Sequence, residues 1–379
     1  MNDAADEQCV KAELFKSAFP NGNLGTSVNE CKRAAVAGPR SRTEMDWIMR
    51  PLAIAVVNVL VAACAFAAYP KIDLANGYEL VPDWPKKPAE FHWYVVTGVA
   101  VDRQDRVWVF TTSDPAVQVY DADSGDFLFS WGTGLFKNPH FIRIDAEGQV
   151  WCADYGRHIV RKFTERGELL LTLGTPDVPG RDEAHLNMPT DMAVAPNGDV
   201  FVTDGYGNNR IVHYDRHGAF VKSWGQLGVG AGDLSQPHSI AMDSKGLLYV
   251  GERNNCRIQV FDQRGRSLAQ WRNLINPWGI VVLPNDEVLV SGSTPARWTQ
   301  RGNLGNPPHD QIVMKFDTTG RALEQWAFPL CPDGNWKPGM TAWAHGTGVD
   351  SKGNLYLSDV ADDDKTHRVQ KFRRLTAEQ

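Results

Sequence analysis

Three of the ten histidines in this 379-residue chain occupy one place in an internal repeat. His140, His238 and His345 each stand eight residues before a hairpin turn, in Ala146-Glu147-Gly148, Ser244-Lys245-Gly246 and Ser351-Lys352-Gly353. The same place holds Thr97, Thr190 and Trp278 in the units between them, so histidine recurs in every other unit. In a ring of six units, alternate ones stand a third of a turn apart. One backbone position repeated that way aims three imidazoles at a common axis. Neutral imidazoles that converge with a fourth position left open describe a catalytic type of zinc site. Taken singly, each histidine reads as a core or turn residue satisfied by a backbone carbonyl. The coincidence of three is what points to a metal.

The turn after each second strand belongs on the same rim. In the third unit it reads Asp204-Gly205-Tyr206-Gly207-Asn208-Asn209-Arg210, and in the fourth Glu252-Arg253-Asn254-Asn255-Cys256-Arg257. A tyrosine facing a dication can lose its proton below its ordinary pKa of about 10, which makes Tyr206 a candidate base. Arg253 could grip a carboxylate in fork geometry. The plain alternative is a turn tyrosine and a surface arginine.

The elements that must position these groups are short strands. Between Met188 and Gly225 four alternating runs, Met192–Val194, Val200–Thr203, Arg210–Tyr214 and Phe220–Trp224, are separated by Gly- and Asn-bearing turns. Period-two alternation with such turns predicts antiparallel hairpins. One four-stranded sheet cannot bury both faces, and the chain supplies copies: Val95–Gly132, Asn138–Gly174, Gln236–Trp271, Asn276–Ala327 and Trp343–Arg374. Six units at a period of roughly 40 residues predict an all-β fold, a six-bladed β-propeller over residues 70–379. A β-sandwich would not repeat one turn signature six times. The last unit shows three strands, Gly346–Val349, Asn354–Ser358 and His367–Phe372, and Tyr78–Val81 is expected to complete it, removing a free edge. The insertion Ser291–Asp310 in blade five, rich in Gly, Pro and Asn, reads as a functional or disordered loop, with a lid as the functional reading.

Thirteen tryptophans and 34 glycines suit blades and hairpin turns, and a net charge of −6 with dispersed Lys and Arg argues against a nucleic-acid partner. Residues 1–48 fit no blade and read as a disordered or spurious extension. Residues 49–69 open with Met49-Arg50 and continue in an apolar run from Pro51 to Tyr69, the pattern of a secretory signal. Cleavage at Ala65-Phe66-Ala67, a lipoprotein box ending at Cys64, and an uncleaved membrane anchor are the three readings. Each exports the propeller to the periplasm, the exterior or the membrane surface, and Met49 is then the expected true start. Cys152, Cys256 and Cys331, an odd number, make no self-contained disulfide set, and Cys152 is expected in the core.

The repeats resemble NHL repeats, and from about Val95 to Phe372 the chain is similar to the peptidyl-α-hydroxyglycine α-amidating lyases. The resemblance is carried by MPTDMAVAPNGDVFVTDGYGNNRIV and PHSIAMDSKGLLYVGERNNCRIQVF. It implies zinc on His140, His238 and His345, a catalytic Tyr206 in the Asp-Gly-Tyr motif and an active-site Arg253. The implied reaction cleaves a C-terminal α-hydroxyglycine into a peptide amide and glyoxylate. Three positions depart from the family. Thr112 stands in place of a second arginine, with Arg157, Arg297 and Arg301 as candidate substitutes. Gly346 follows His345 where the family carries an aspartate of a calcium site. Gly207 stands where animal enzymes have a disulfide cysteine. A zinc-dependent lyase acting as a monomer on a small peptide-like substrate is therefore the leading expectation. A related propeller hydrolase and a non-catalytic NHL binding module of the cell envelope are the alternatives.

Overall fold

The computed structural model describes residues 77–295, 311–329, 335–360 and 369–375. The export segment, Cys9, Cys31, Cys64, Cys331, Arg297 and Arg301 lie outside the described residues, as does most of the expected lid. Among the described residues no helix is long and apolar enough to cross a membrane.

Twenty-four described strands form six four-stranded antiparallel sheets. The third blade, with strands Asp191–Val194, Val200–Asp204, Arg210–Tyr214 and Phe220–Trp224, follows the alternating runs nearly residue for residue. The first strands of neighbouring blades touch all the way round, and blade one meets blade six, so the ring is closed. The closure is the expected one. Tyr78–Leu80 pairs with Val369–Arg374 through Tyr78↔Arg374 and Leu80↔Phe372, and Val81 N–H donates to the Lys371 carbonyl at 2.9 Å. Two bounds differ from expectation. The third strand of blade six runs Val369–Arg374, and in blade five the second strand continues to Ser293, paired with Asn276. The insertion therefore starts after Ser293, because ladder pairing holds its first residues in the sheet.

The repeat is a packing device as well as a turn signal. Asp102, Asp145, Asp243 and Asp350 each open the hairpin between first and second strands and accept backbone N–H groups within it. Each also accepts a hydrogen bond from the aromatic residue six positions later: Trp108, Trp151, Tyr249 and Tyr356. In blades three and five the acceptor position is Ala195 and Leu283, and the partner position is Phe201 and Leu289, side chains with no polar hydrogen. Donor and acceptor are kept or lost together, as expected where an unpaired buried group costs more than the bond contributes.

These aromatic residues and the strand interiors fill the seams between blades. Between blades one and two, Trp108, Phe110 and Val119 pack on Ile142, Val150 and Phe163, with Cys152 buried among them as expected. Burial pushes the Cys152 thiol well above its ordinary pKa, so it behaves as a small apolar side chain. A direct check follows. Asp145→Ala strands the Trp151 indole N–H and two turn amides, and should lower stability by about 2–3 kcal/mol in urea unfolding. Adding Trp151→Phe, which copies the blade-three solution, should recover part of that loss.

Candidate metal centre

Each site histidine sits on a β-bulge. Pro237 pairs with Glu252 and Ser239 with Gly251, leaving His238 as the extra residue between them. The ladder slips likewise across His140, between Pro139 and Ile142, and across His345, between Ala344 and Thr347. Bulges re-aim the side chain of the extra residue, which here turns it toward the axis. Thr97 and Trp278 stand at the same slip in blades one and five.

The imidazoles meet at the axis as the spacing predicts, all three buried, with one ligand nitrogen from each lying within 4.8 Å of the others. Their Nδ1 atoms reach backbone carbonyls: His140 to Thr190 at 2.7 Å, His238 to Trp278 at 2.7 Å, and His345 to Thr97 at 2.6 Å. A carbonyl oxygen only accepts, so each Nδ1 carries the proton. Burial holds all three rings neutral. It pulls His140 and His238 well below the usual imidazole pKa and His345 down to about 3. Each Nε2 is then a bare lone pair. Thr97, Thr190 and Trp278, which hold the same repeat position in the intervening blades, supply the carbonyls that orient the ligands.

Tyr206 completes the cluster. Its hydroxyl lies 2.9 Å from His140 Nε2 and 2.9 Å from His238 Nε2. One phenol proton can satisfy one of these acceptors and not both. A set of lone pairs with too few protons fits a cation, and three neutral imidazoles fit a borderline-soft dication. The 4.8 Å within which the histidine nitrogens lie is looser than the roughly 3–4 Å that zinc–nitrogen bonds of about 2.0–2.1 Å set. Among the described residues these three histidines form the group placed to hold a metal ion.

The rim turns hold Tyr206 and Arg253 by one backbone device. Tyr206 N–H donates to the Met188 carbonyl at 3.3 Å and Arg253 N–H to the Gln236 carbonyl at 3.2 Å, each carbonyl two residues before the axial position of its blade. Gly205 has no substitute: a Cβ there would lie 1.8 Å from the Pro237 carbonyl oxygen. Beneath the turns, Arg210 pairs with Asp204 at 2.9 Å and also donates to the Arg181, Asp182 and His185 carbonyls. Arg257 pairs with Glu252 and donates to the Val229, Gly230 and Asp233 carbonyls. The Asn-x-Arg signature of the repeat thus shapes the connector beside each rim turn.

Burial pushes the Tyr206 phenol up to about 12, and the Arg253 charge and hydrogen bond pull against that shift. Arg253 is fully buried, lies 4.7 Å from the Trp278 ring centroid, and is drawn down by burial to about 10, so it stays charged at neutral pH. The expected lowering of the tyrosine pKa therefore needs more positive charge than Arg253 alone provides.

Several neighbours carried no signal in the spacing. Tyr155 stands edge-on to both Tyr206 and His140, and Phe141 stacks on His345 at 4.9 Å and 16°. Below the histidines Arg143 crosses the axis, bonded at 2.9 Å and 2.5 Å to both oxygens of Asp191 in blade three and at 3.2 Å to the Ile280 carbonyl in blade five. The departures also find places. Thr112 repeats the backbone bond of Arg253, donating to the Val95 carbonyl at 2.9 Å, while its hydroxyl lies 3.2 Å from Val95 N. A Cβ on Gly346 would lie 2.6 Å from Ser358 Oγ and 2.8 Å from Val99 N, so no aspartate fits there and a calcium site built on it does not suit this chain. Arg157 is bound to Asp177 at 2.8 Å and does not join the centre.

Comparison with known proteins places the chain in a family. The NHL repeat model matches residues 186–214 and 234–261. Peptidyl-alpha-hydroxyglycine alpha-amidating lyase 2 of Drosophila melanogaster is 31% identical over 331 residues, covering 77% of this chain and 75% of that protein. The chain belongs to the amidating lyase family. Amidating lyase 1 of the same fly is 29% identical over 81% of the chain. The mouse peptidyl-glycine alpha-amidating monooxygenase is 36% identical over 198 residues, and there the chain spans only 20% of the longer protein. Among solved structures a streptogramin B lyase shares the fold at a TM-score of 0.51 and 15% identity, covering 76% of this chain and 95% of that one.

Two outcomes follow from the neutral histidines. Replacing any one of them by Ala should remove most bound metal while the blades stay folded, as read by elemental analysis beside circular dichroism. The metal-free protein should also lose stability in acid. The unfolded chain takes up protons on these imidazoles below about 6.5, which the folded site refuses, so stability present above that pH declines as pH falls. Urea midpoints measured from about pH 8 to about pH 5 should fall in that window, and His345→Gln should flatten the slope.

Proposed function

We propose that this protein is a zinc-dependent lyase that cleaves a peptidyl-α-hydroxyglycine into a peptide amide and glyoxylate. The supporting observation is the meeting of three Nε2 lone pairs with the Tyr206 hydroxyl, 2.9 Å from two of them. Zinc on His140, His238 and His345 would supply a Lewis acid for the substrate hydroxyl oxygen and positive charge favouring phenolate at Tyr206.

Tyr206, as the base, takes the proton of the carbinol hydroxyl. As that oxygen becomes a carbonyl the C–N bond breaks, its electron pair goes to the amide nitrogen, and a proton is taken up there. Glyoxylate and the peptide amide leave. Arg253 keeps its charge in the buried site, where it offsets the burial of the phenol and suits the carboxylate of the hydroxyglycine. Arg143 and Asp191 pair below the histidines, and substrate approaches from the rim that carries the turns. We propose in addition that residues 49–69 direct export and that the propeller acts as a monomer on small peptide-like substrates.

Elemental analysis and a glyoxylate-release assay on an α-hydroxyglycine peptide test the reading together. Stoichiometric zinc and release of glyoxylate are expected, and Tyr206→Phe should keep the zinc and lose about 100-fold or more of the turnover. Zinc without glyoxylate would sink the lyase and leave the metal centre, with Thr112 as the first suspect and Thr112→Arg the variant to try. Neither zinc nor glyoxylate would favour the NHL binding module. N-terminal sequencing of the exported protein should find a start at or after Cys64.

A further inference from the structure

We propose that Tyr155 is the positioning residue for Tyr206; only the kinetic part of its test rests on the lyase reading above. Tyr155 is buried in blade two, and nothing in the histidine spacing or the Asp-Gly-Tyr motif marks it. Its ring centroid is 5.6 Å from that of Tyr206 at 89°, and 5.9 Å from that of His140 at 84°. Edge-to-face contact at these separations is favourable and directional. Tyr206 is only partly buried and lies in a turn, yet its hydroxyl must stay within reach of two Nε2 atoms. Tyr155 touches both the ring that carries that hydroxyl and the imidazole it faces.

The backbone ties the two turns together independently of the rings. Tyr155 opens the short 3-10 turn Tyr155–Arg157, capped by Asp154 and ended by His158 in the left-handed region at φ 59°. That conformation turns His158 so that its Nδ1 accepts the Met188 N–H at 3.1 Å. The Met188 carbonyl in turn accepts the Tyr206 N–H at 3.3 Å. Met188 is itself left-handed, at φ 57°, a costly conformation that both bonds help to hold. The Tyr155 phenol, raised by burial, feels both the Tyr206 phenol and the Asn138 side chain, so the test separates the ring from the hydroxyl.

The test compares Tyr155→Phe and Tyr155→Val in the full chain. The first keeps the ring, and the second opens the wall beside Tyr206. With cobalt(II) in the metal site, Tyr155→Phe should retain the visible spectrum and turnover of the parent. Tyr155→Val should lower kcat by about 10- to 100-fold with KM changed by no more than about twofold, and shift the cobalt spectrum toward that of Tyr206→Phe. In the metal-free protein, amide exchange at Tyr206 and Gly207 should quicken in Tyr155→Val and not in Tyr155→Phe. Unchanged exchange and spectrum in Tyr155→Val overturn the proposal. Equal damage in both variants overturns it too, by assigning the effect to the hydroxyl. If the parent releases no glyoxylate, the lyase reading fails by itself, and spectrum and exchange still decide the role of Tyr155.

Discussion

Each site histidine gives its Nδ1 proton to the carbonyl of the equivalent residue in the next blade, and that bond decides which nitrogen faces the axis. His140 bonds Thr190, His238 bonds Trp278, and His345 bonds Thr97, so the contact runs from blades two, four and six to blades three, five and one. Were the protons on Nε2, the same ring of histidines would present three donors and repel a cation. The tautomer is set by backbone, which mutation at Thr97 or Thr190 leaves in place. The chemistry at the centre thus depends on the closure of the ring, because each ligand is aimed by the bulge of its own blade but takes its tautomer from a neighbouring one.

Closure is supplied by ordinary packing and one less ordinary bond. Blade seams filled by aromatic and branched side chains fix neighbours relative to each other, and the strand Tyr78–Leu80 joins the two ends of the fold. Arg143 reaches further, tying blade two to Asp191 in blade three and to the Ile280 carbonyl in blade five. Its guanidinium also lies 5.2 Å from the Phe141 ring, which stacks on His345. A charged pair under the imidazoles therefore braces three blades and the floor of the site at once. Asp191 is fully buried, and losing Arg143 would leave its carboxylate uncompensated.

The blades and the histidine trio were legible because both are periodic. Alternation and turn residues repeat six times, and an axial position repeated in alternate blades has one geometric meaning. Tyr206 and Arg253 were legible as rim residues through the turn that carries them and, in their roles, through resemblance. Tyr155 and Arg143 were not, for a physical reason. Each acts across a blade boundary, and contacts between blades follow from ring geometry that no single repeat encodes. The bulges under the histidines were hidden likewise, since a bulge is a relation between two strands. The end of blade six was misjudged by two residues because ladder pairing, and not local pattern, determines where a strand stops.

Two of the three departures from the family have different physical weight. At Gly346 the surrounding atoms leave no room: Ser358 Oγ and Val99 N stand close to where a side chain would begin. The glycine is part of a close contact between blades six and one, and an aspartate there would strain the strand that carries His345. Thr112 is another matter. Its backbone keeps the bond that holds Arg253 in blade four, so a side chain there starts from the equivalent rim position. Threonine leaves that position with a hydroxyl beside Val95 instead of a charge. The phenol of Tyr206 then has Arg253 beside it, whose charge and hydrogen bond oppose the rise that burial causes; on the proposed reading, positive charge held by the histidines would supply the rest.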